Sequence, residues 1–153
     1  MPISTALRRA RSLPVYLIDT NVISEARKVR PNAGVVAFFD VADAANEPIY
    51  LSATTIGELR RGVELIRHRG DHDQAAVLEN WLAIILSEFA DRILTFDAEA
   101  AQVWGMLRVP DPAHALDKQI AAIALVCDLT VVTRNIADFV GTGAQVRNPF
   151  REN

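Results

Sequence analysis

The stretch "VYLIDTN", residues 15–21, sets three strand-forming side chains, Val15, Tyr16 and Ile18, around Leu17 and then turns abruptly to an aspartate, a threonine and an asparagine. Branched and aromatic residues in an unbroken apolar run suit a strand buried on both faces, as in parallel sheets covered by helices. Asp19 therefore stands at the carboxyl end of an interior strand. Its surroundings depend on what else the chain brings to that edge.

Outward from this stretch, short β-rich runs alternate with longer segments of helical period. "NVISEAR" reads as a short helix ending near Pro31, and "NAGVVAFFDVADA" as a second. "IYLS" is a strand, followed from Ser52 by Ile56, Leu59, Val63 and Ile66 at helical spacing up to Gly70. "HDQAAVLENWLAIILSEFA" supplies the second arm of a helical hairpin, apolar nearly all round in places. "RILTF" is a strand, "DAEAAQVWGML" a helix stopped by "PDP", and a further helix starts around Asp117. "LTVVT" and "AQVRN" are the last strands. Strands separated by helices imply right-handed crossovers. The predicted fold is a three-layer α/β/α domain with a central, mostly parallel sheet of four to five strands.

The 153 residues, half of them hydrophobic, suffice for one domain, expected over 15–150, with a loosely ordered extension over 1–14 and a tail over 151–153. Arg8, Arg9 and Arg11 make the extension basic, but it lacks the apolar region of a secretory signal. The single cysteine, Cys127, excludes an intrachain disulfide and suits a reducing, cytoplasmic setting, with the thiol buried. No apolar run approaches the ~20 residues of a membrane span. A net charge of -3 gives no general attraction to nucleic acid, so such a partner would need a local basic patch or bound cations.

Ligands of open parallel sheets collect beyond the carboxyl ends of the strands. Asp19 lies there after the first strand, and Thr133, Asn135 and Asp138 lie there after the fourth. Glu58 and Asp117 sit in the opening turns of helices. Each acid has an ordinary alternative: Asp19 as a helix cap, Glu58 on a solvated face, Asp117 against a helix dipole, Asp138 in a turn. Together they form an oxygen-rich set of the kind hard divalent cations prefer. Asp97 also follows a strand, but helix capping accounts for it. His68, His72 and His114 fall in polar, loop-like surroundings and are read as surface residues.

The segments "YLIDTNVISE", "LSATTIGELRRGV", "FDAEAAQVWG", "LDKQIAAIAL" and "LTVVTRNIADF" occur in that order, and in them the chain resembles PIN-domain ribonucleases, in particular the VapC toxins and their FitB-like branch. The resemblance implies an acid quartet around one or two Mg2+ or Mn2+ ions, falling on Asp19, Glu58 and Asp117, with the fourth ligand at Asn135 or Asp138. Asp138 is the choice here, with Asn135 a neutral ligand or donor and Thr20, Asn21 and Thr133 in support. The resemblance further implies an endoribonuclease toxin of a type II pair that leaves 5′-phosphate and 3′-hydroxyl ends, inhibits translation and growth, forms a homodimer, and is neutralised by an antitoxin lying over the acidic groove. Arg60, Arg61, Lys118 and Arg134 are candidates for contact with the RNA backbone, although a solvated face is the default for the helical arginines, Arg67 and Arg69 included. The competing expectation is a PIN-like module that binds nucleic acid or protein without turnover. An aspartate-nucleophile phosphatase or receiver domain fits poorly, because no second acid flanks Asp19 closely enough.

Overall fold

A computed structural model describes residues 14–151, so nearly all of the expected N-terminal extension, and residues 152–153, lie outside the described residues. Strand β1 (Tyr16–Ile18) is the middle of a five-stranded sheet with β2 (Ile49–Ser52), β3 (Ile93–Leu94), β4 (Thr130–Val132) and β5 (Gln145–Arg147), in the order β3-β2-β1-β4-β5. Every pairing is parallel, so the sheet expected to be mostly parallel is wholly so. Six helices connect the strands: α1 (Thr20–Ala26), α2 (Ala33–Ala44), α3 (Ala53–His68), α4 (His72–Glu88), α5 (Ala98–Leu107) and α6 (Ala115–Cys127).

The two-residue period of β1 divides the core. Val15 and Leu17, with Val131 of β4, pack against Ile120, Ile123 and Cys127 of α6 and Ala100 of α5. Tyr16 and Ile18, with Leu51 and Val132, pack against Val22 of α1, Val35 and Phe38 of α2, Leu59 of α3 and Leu82 of α4. Helices α1–α4 thus cover one face and α5–α6 the other, which is the expected three-layer arrangement. Leu17 and Ile18 are completely buried, each worth about 1.5–3 kcal/mol in removal of apolar surface from water.

Two local expectations change. The strand read in "RILTF" contracts to Ile93–Leu94, and Phe96 leaves the ladder to meet Trp104 edge-on with ring centroids 5.9 Å apart. Helix α6 begins at Ala115, so Asp117 lies within its first turn rather than opening it. Hairpin α3–α4 turns at Gly70, whose φ of 89° is easy only for glycine, and is clamped by Arg60 and Arg67, which reach Glu79 at 2.7 and 3.1 Å. Asn32 holds the end of the described chain against α2: its Nδ2 donates to the Arg151 carbonyl at 3.0 Å and its Oδ1 accepts from Arg151 N at 3.1 Å. The approach is so close that a β-carbon on Gly34 would collide with the Pro149 carbonyl oxygen.

Strand order reverses at the centre. From β1 the chain builds β2 and β3 to one side, then returns to place β4 on the other. The crossovers before and after the reversal leave a crevice beyond the carboxyl ends of β1 and β4, where this topology places ligands. Asp19 N–H donates to the Val132 carbonyl at 2.9 Å, which locks the ends of β1 and β4 side by side at the crevice floor, and Thr133 N–H donates to the Arg147 carbonyl at 2.9 Å, which ties β4 to β5.

Candidate metal centre

Asp19 is the N-cap of α1 and also the floor of the crevice. Its Oδ1 accepts from Thr20 N at 2.8 Å; its Oδ2 accepts from the Thr133 hydroxyl at 2.8 Å and from Asn21 Nδ2 at 3.1 Å. Burial pushes its pKa up, the bonds from Thr133, Thr20 and Asn21 oppose that, and the charge of Asp138 adds to it. Capping and site formation are thus compatible uses of one carboxylate.

The supporting residues form a continuous network. Asn21 Oδ1 accepts from Arg134 N at 3.0 Å, so one side chain ties the start of α1 to the segment after β4. Thr133 is fully buried; while donating to Asp19 it accepts from Asn135 N at 3.0 Å. The Thr20 hydroxyl donates to Glu58 Oε1 at 3.0 Å, linking the end of β1 to α3. Ser52 caps α3 at Thr55 N, 3.0 Å, which fixes the helix start and therefore the direction of Glu58 one and a half turns later.

Glu58 is partly buried, and its pKa is raised first by burial and then by the charge of Asp19, against the Thr20 bond and the charge of Arg61. Asp117 carries the largest perturbation in the crevice. Burial, followed by the charges of Asp19, Asp138 and Glu58, pushes it up to about 6, with His114 acting in opposition. Asp138 comes from a 3-10 turn over Ile136–Phe139, held down by the buried Phe139. Four carboxyl groups from four separate segments therefore share one electrostatic environment. Asn135 is exposed and enters the network through its backbone N–H.

His114, read from sequence as a surface residue, is half-exposed but belongs to this group. Its Nδ1 stands 3.8 Å from Asp117 Oδ2 and 3.6 Å from Asp138 Oδ1, and ligand atoms of the three residues all lie within 4.8 Å of one another. The spacing of "HALD" on a helix start was a signal for the Asp117 contact. Proximity to Asp138 depends on the fold alone.

Two of the cationic candidates are otherwise engaged. Lys118 is buried, its Nζ donating to the Asp111 carbonyl with Asp111 Oδ2 3.9 Å away, because the helix turn that exposes Asp117 carries its neighbour inward. Arg60 is occupied by Glu64 and Glu79 within the hairpin clamp. Arg61 is exposed near enough for Glu58 to feel its charge, and exposed Arg134 stacks its guanidinium 4.7 Å over the Phe150 ring. Asp97 caps α5 through Ala100 N at 2.9 Å, as its sequence position suggested.

The donor set fits a hard divalent cation. It is rich in carboxylate oxygens, its floor is immobilised by Thr133 and Asn21, and burial, with repulsion from the neighbouring acids added to it, raises the proton affinity of Asp117, a cost a cation would relieve.

The family model described as PIN domain matches residues 16–139. The chain is 38% identical over 141 residues to the plasmid stability protein StbB of Pseudomonas syringae pv. tomato, spanning 89% of this chain and 99% of that protein. It is 38% identical over 143 residues to toxin FitB of Neisseria gonorrhoeae, spanning 90% and 100%, and 31% identical over 142 residues to VapC ribonuclease Y4jK of Sinorhizobium fredii, spanning 89% and 98%. The crystal structure of FitAcB from Neisseria gonorrhoeae superposes with a TM-score of 0.76 at 39% identity, covering 88% of this chain and 98% of that one.

Proposed function

This chain belongs to the PIN-domain family, and from that premise we propose that it is a divalent-metal-dependent endoribonuclease, the toxin of a type II toxin–antitoxin pair. The observation that carries the reading is the electrostatic environment shared by Asp19, Glu58, Asp117 and Asp138 at the switch point of the sheet, in a chain whose relatives are named as a toxin and a VapC ribonuclease.

In this reading Asp19, Glu58, Asp117 and Asp138 hold Mg2+ or Mn2+. When bound, the ion supplies a Lewis acid that neutralises the acid cluster, polarises the scissile phosphate and acidifies water for attack. The chain's own residues do the positioning. Thr133, Asn21 and Thr20 N–H fix both oxygens of Asp19, and the Thr20 hydroxyl aims Glu58. The exposed Arg61 and Arg134 meet the RNA backbone without reading bases. Hydrolysis leaves 5′-phosphate and 3′-hydroxyl ends, and the cleavage inhibits translation and growth.

A groove of about 290 Å³ opens beside Thr20 and Glu58 and runs along Leu59, Val63, Leu78 and Trp81. It offers an antitoxin segment an apolar seat leading to the acids. Val77, Ile84 and Leu86 lie exposed on α4, which favours burial of that helix in a homodimer.

The test is incubation of antitoxin-free protein with structured RNA in Mg2+ or Mn2+, beside an Asp19→Asn variant. Cleavage by the wild type and its loss in the variant are expected. Equal cleavage by both, or none with any divalent ion, would leave the non-catalytic binding module as the better account.

A further inference from the structure

We propose that the His114 imidazole is a nitrogen ligand of the cation held by Asp117 and Asp138, and that it tilts this centre toward Mn2+ over Mg2+. The inference rests on the metal-centre reading above and adds to its carboxylates a donor of different chemistry.

Three observations support it. Nδ1 lies 3.8 Å from Asp117 Oδ2 and 3.6 Å from Asp138 Oδ1. Atoms bound about 2.1 Å from a common ion stand about 3.0 Å apart when adjacent and about 4.2 Å apart when opposite, so both separations fall in the range of shared coordination. They exceed direct hydrogen-bond length, so the imidazole approaches the carboxylates without being satisfied by them.

Second, His114 occupies the N-cap of α6 yet makes no side-chain cap bond. Serine, threonine, asparagine and aspartate are favoured at that position because their oxygens satisfy free helix N–H groups. Third, its backbone is left-handed, with φ 57° and ψ 47°, a conformation that is unfavourable for a residue bearing a β-carbon. A glycine or asparagine would suit the backbone better, and neither would carry an imidazole to the acids.

Magnesium binds oxygen and demands near-octahedral geometry, whereas manganese tolerates imidazole more readily. Replacing one of the oxygen or water positions by nitrogen therefore favours Mn2+ within an otherwise oxygen-rich set.

The decisive variant is His114→Gly, because glycine adopts the left-handed conformation freely and leaves α6 in place; circular dichroism checks the fold. Metal binding is measured on the full chain by competition titration with Mn2+ and Mg2+, and the Mn2+ complex is examined by pulsed electron paramagnetic resonance for nitrogen coupling. The wild type should show 14N modulation; His114→Gly should lose it, with Mn2+ affinity falling about tenfold and Mg2+ affinity changing less than about threefold. A Mn2+ complex without nitrogen coupling, or a variant with unchanged Mn2+ affinity, would overturn the role of His114 and leave the carboxylate centre standing. If the wild type binds neither ion, or Asp117→Asn binds both as tightly as wild type, the metal-centre reading falls and this inference with it.

Discussion

Asp117→Asn should make the metal-free protein more stable while removing its response to metal. Among the described residues the Asp117 carboxylate accepts no hydrogen bond that an amide would forfeit; it is partly buried and feels the charges of three other carboxyl groups and of His114. Its pKa rises from 3.8 to about 6 on folding. At about 1.4 kcal/mol per factor of ten in proton affinity, that difference bounds the cost of carrying the charge near 3 kcal/mol. The side chain is 25% exposed, so partial screening brings the expected effect to about 2 kcal/mol. For a chain of this size that corresponds to a rise of about 4–8 °C in Tm. The sign follows from linkage. A carboxyl group that binds its proton more tightly in the folded state contributes stability below pH 3.8 and loses it as pH rises through about 6. Thermal unfolding in EDTA should therefore show the variant above wild type at pH 7.5, the gap closing toward pH 4. Added Mn2+ should reverse the order, since an ion at one hundred times its Kd stabilises the wild type by about 2.7 kcal/mol. A variant no more stable than wild type in EDTA at pH 7.5, or a gap independent of pH, would refute the claim that burial and the neighbouring acids make the Asp117 charge costly.

Other consequences are equally accessible. Asp138→Asn should reduce metal-dependent cleavage by at least about a hundredfold, while Asn135→Ala should leave it within a few-fold; the reverse pattern in single-turnover assays would move the fourth ligand to Asn135. Thr133→Val removes a fully buried donor from Asp19 and should destabilise the fold by about 1–3 kcal/mol in urea titrations, with cleavage also reduced. Gly34→Ala forces the Pro149 segment away from α2 and should cost about 1–3 kcal/mol, read as a lower urea midpoint with unchanged slope. Arg61→Ala and Arg134→Ala should raise KM for RNA and flatten its salt dependence, whereas Arg60→Ala, already paired with Glu79, should leave KM unchanged.

The residues that stood out in the sequence did so because their patterns are local. An apolar run broken by Asp19, helical spacing through Ile56, Leu59 and Val63, and alternating strands and helices are constraints that neighbours along the chain impose on one another. They suffice to predict three layers and a parallel sheet. The short β3 reads as a longer strand in the sequence because Phe96 leaves the ladder for Trp104, eight residues further on in another element. Lys118 is a candidate for contact with the RNA in the sequence because adjacency to Asp117 suggests a shared environment, although successive helical residues point about 100° apart and only one can face the crevice.

By itself, then, the order of residues determined the layers, the strand that carries Asp19, the helix starts that carry Glu58 and Asp117, and the family that the whole resembles. Tertiary structure alone decided that Asp138 faces the other acids, that Arg60 and Lys118 are held by partners of their own, and that His114 stands among the carboxylates. The reason is the range of the forces involved: periodicity is set by backbone geometry over a few residues, whereas proton affinity and cation binding depend on distances across segments a hundred residues apart, which exist only once the sheet has closed around its switch point.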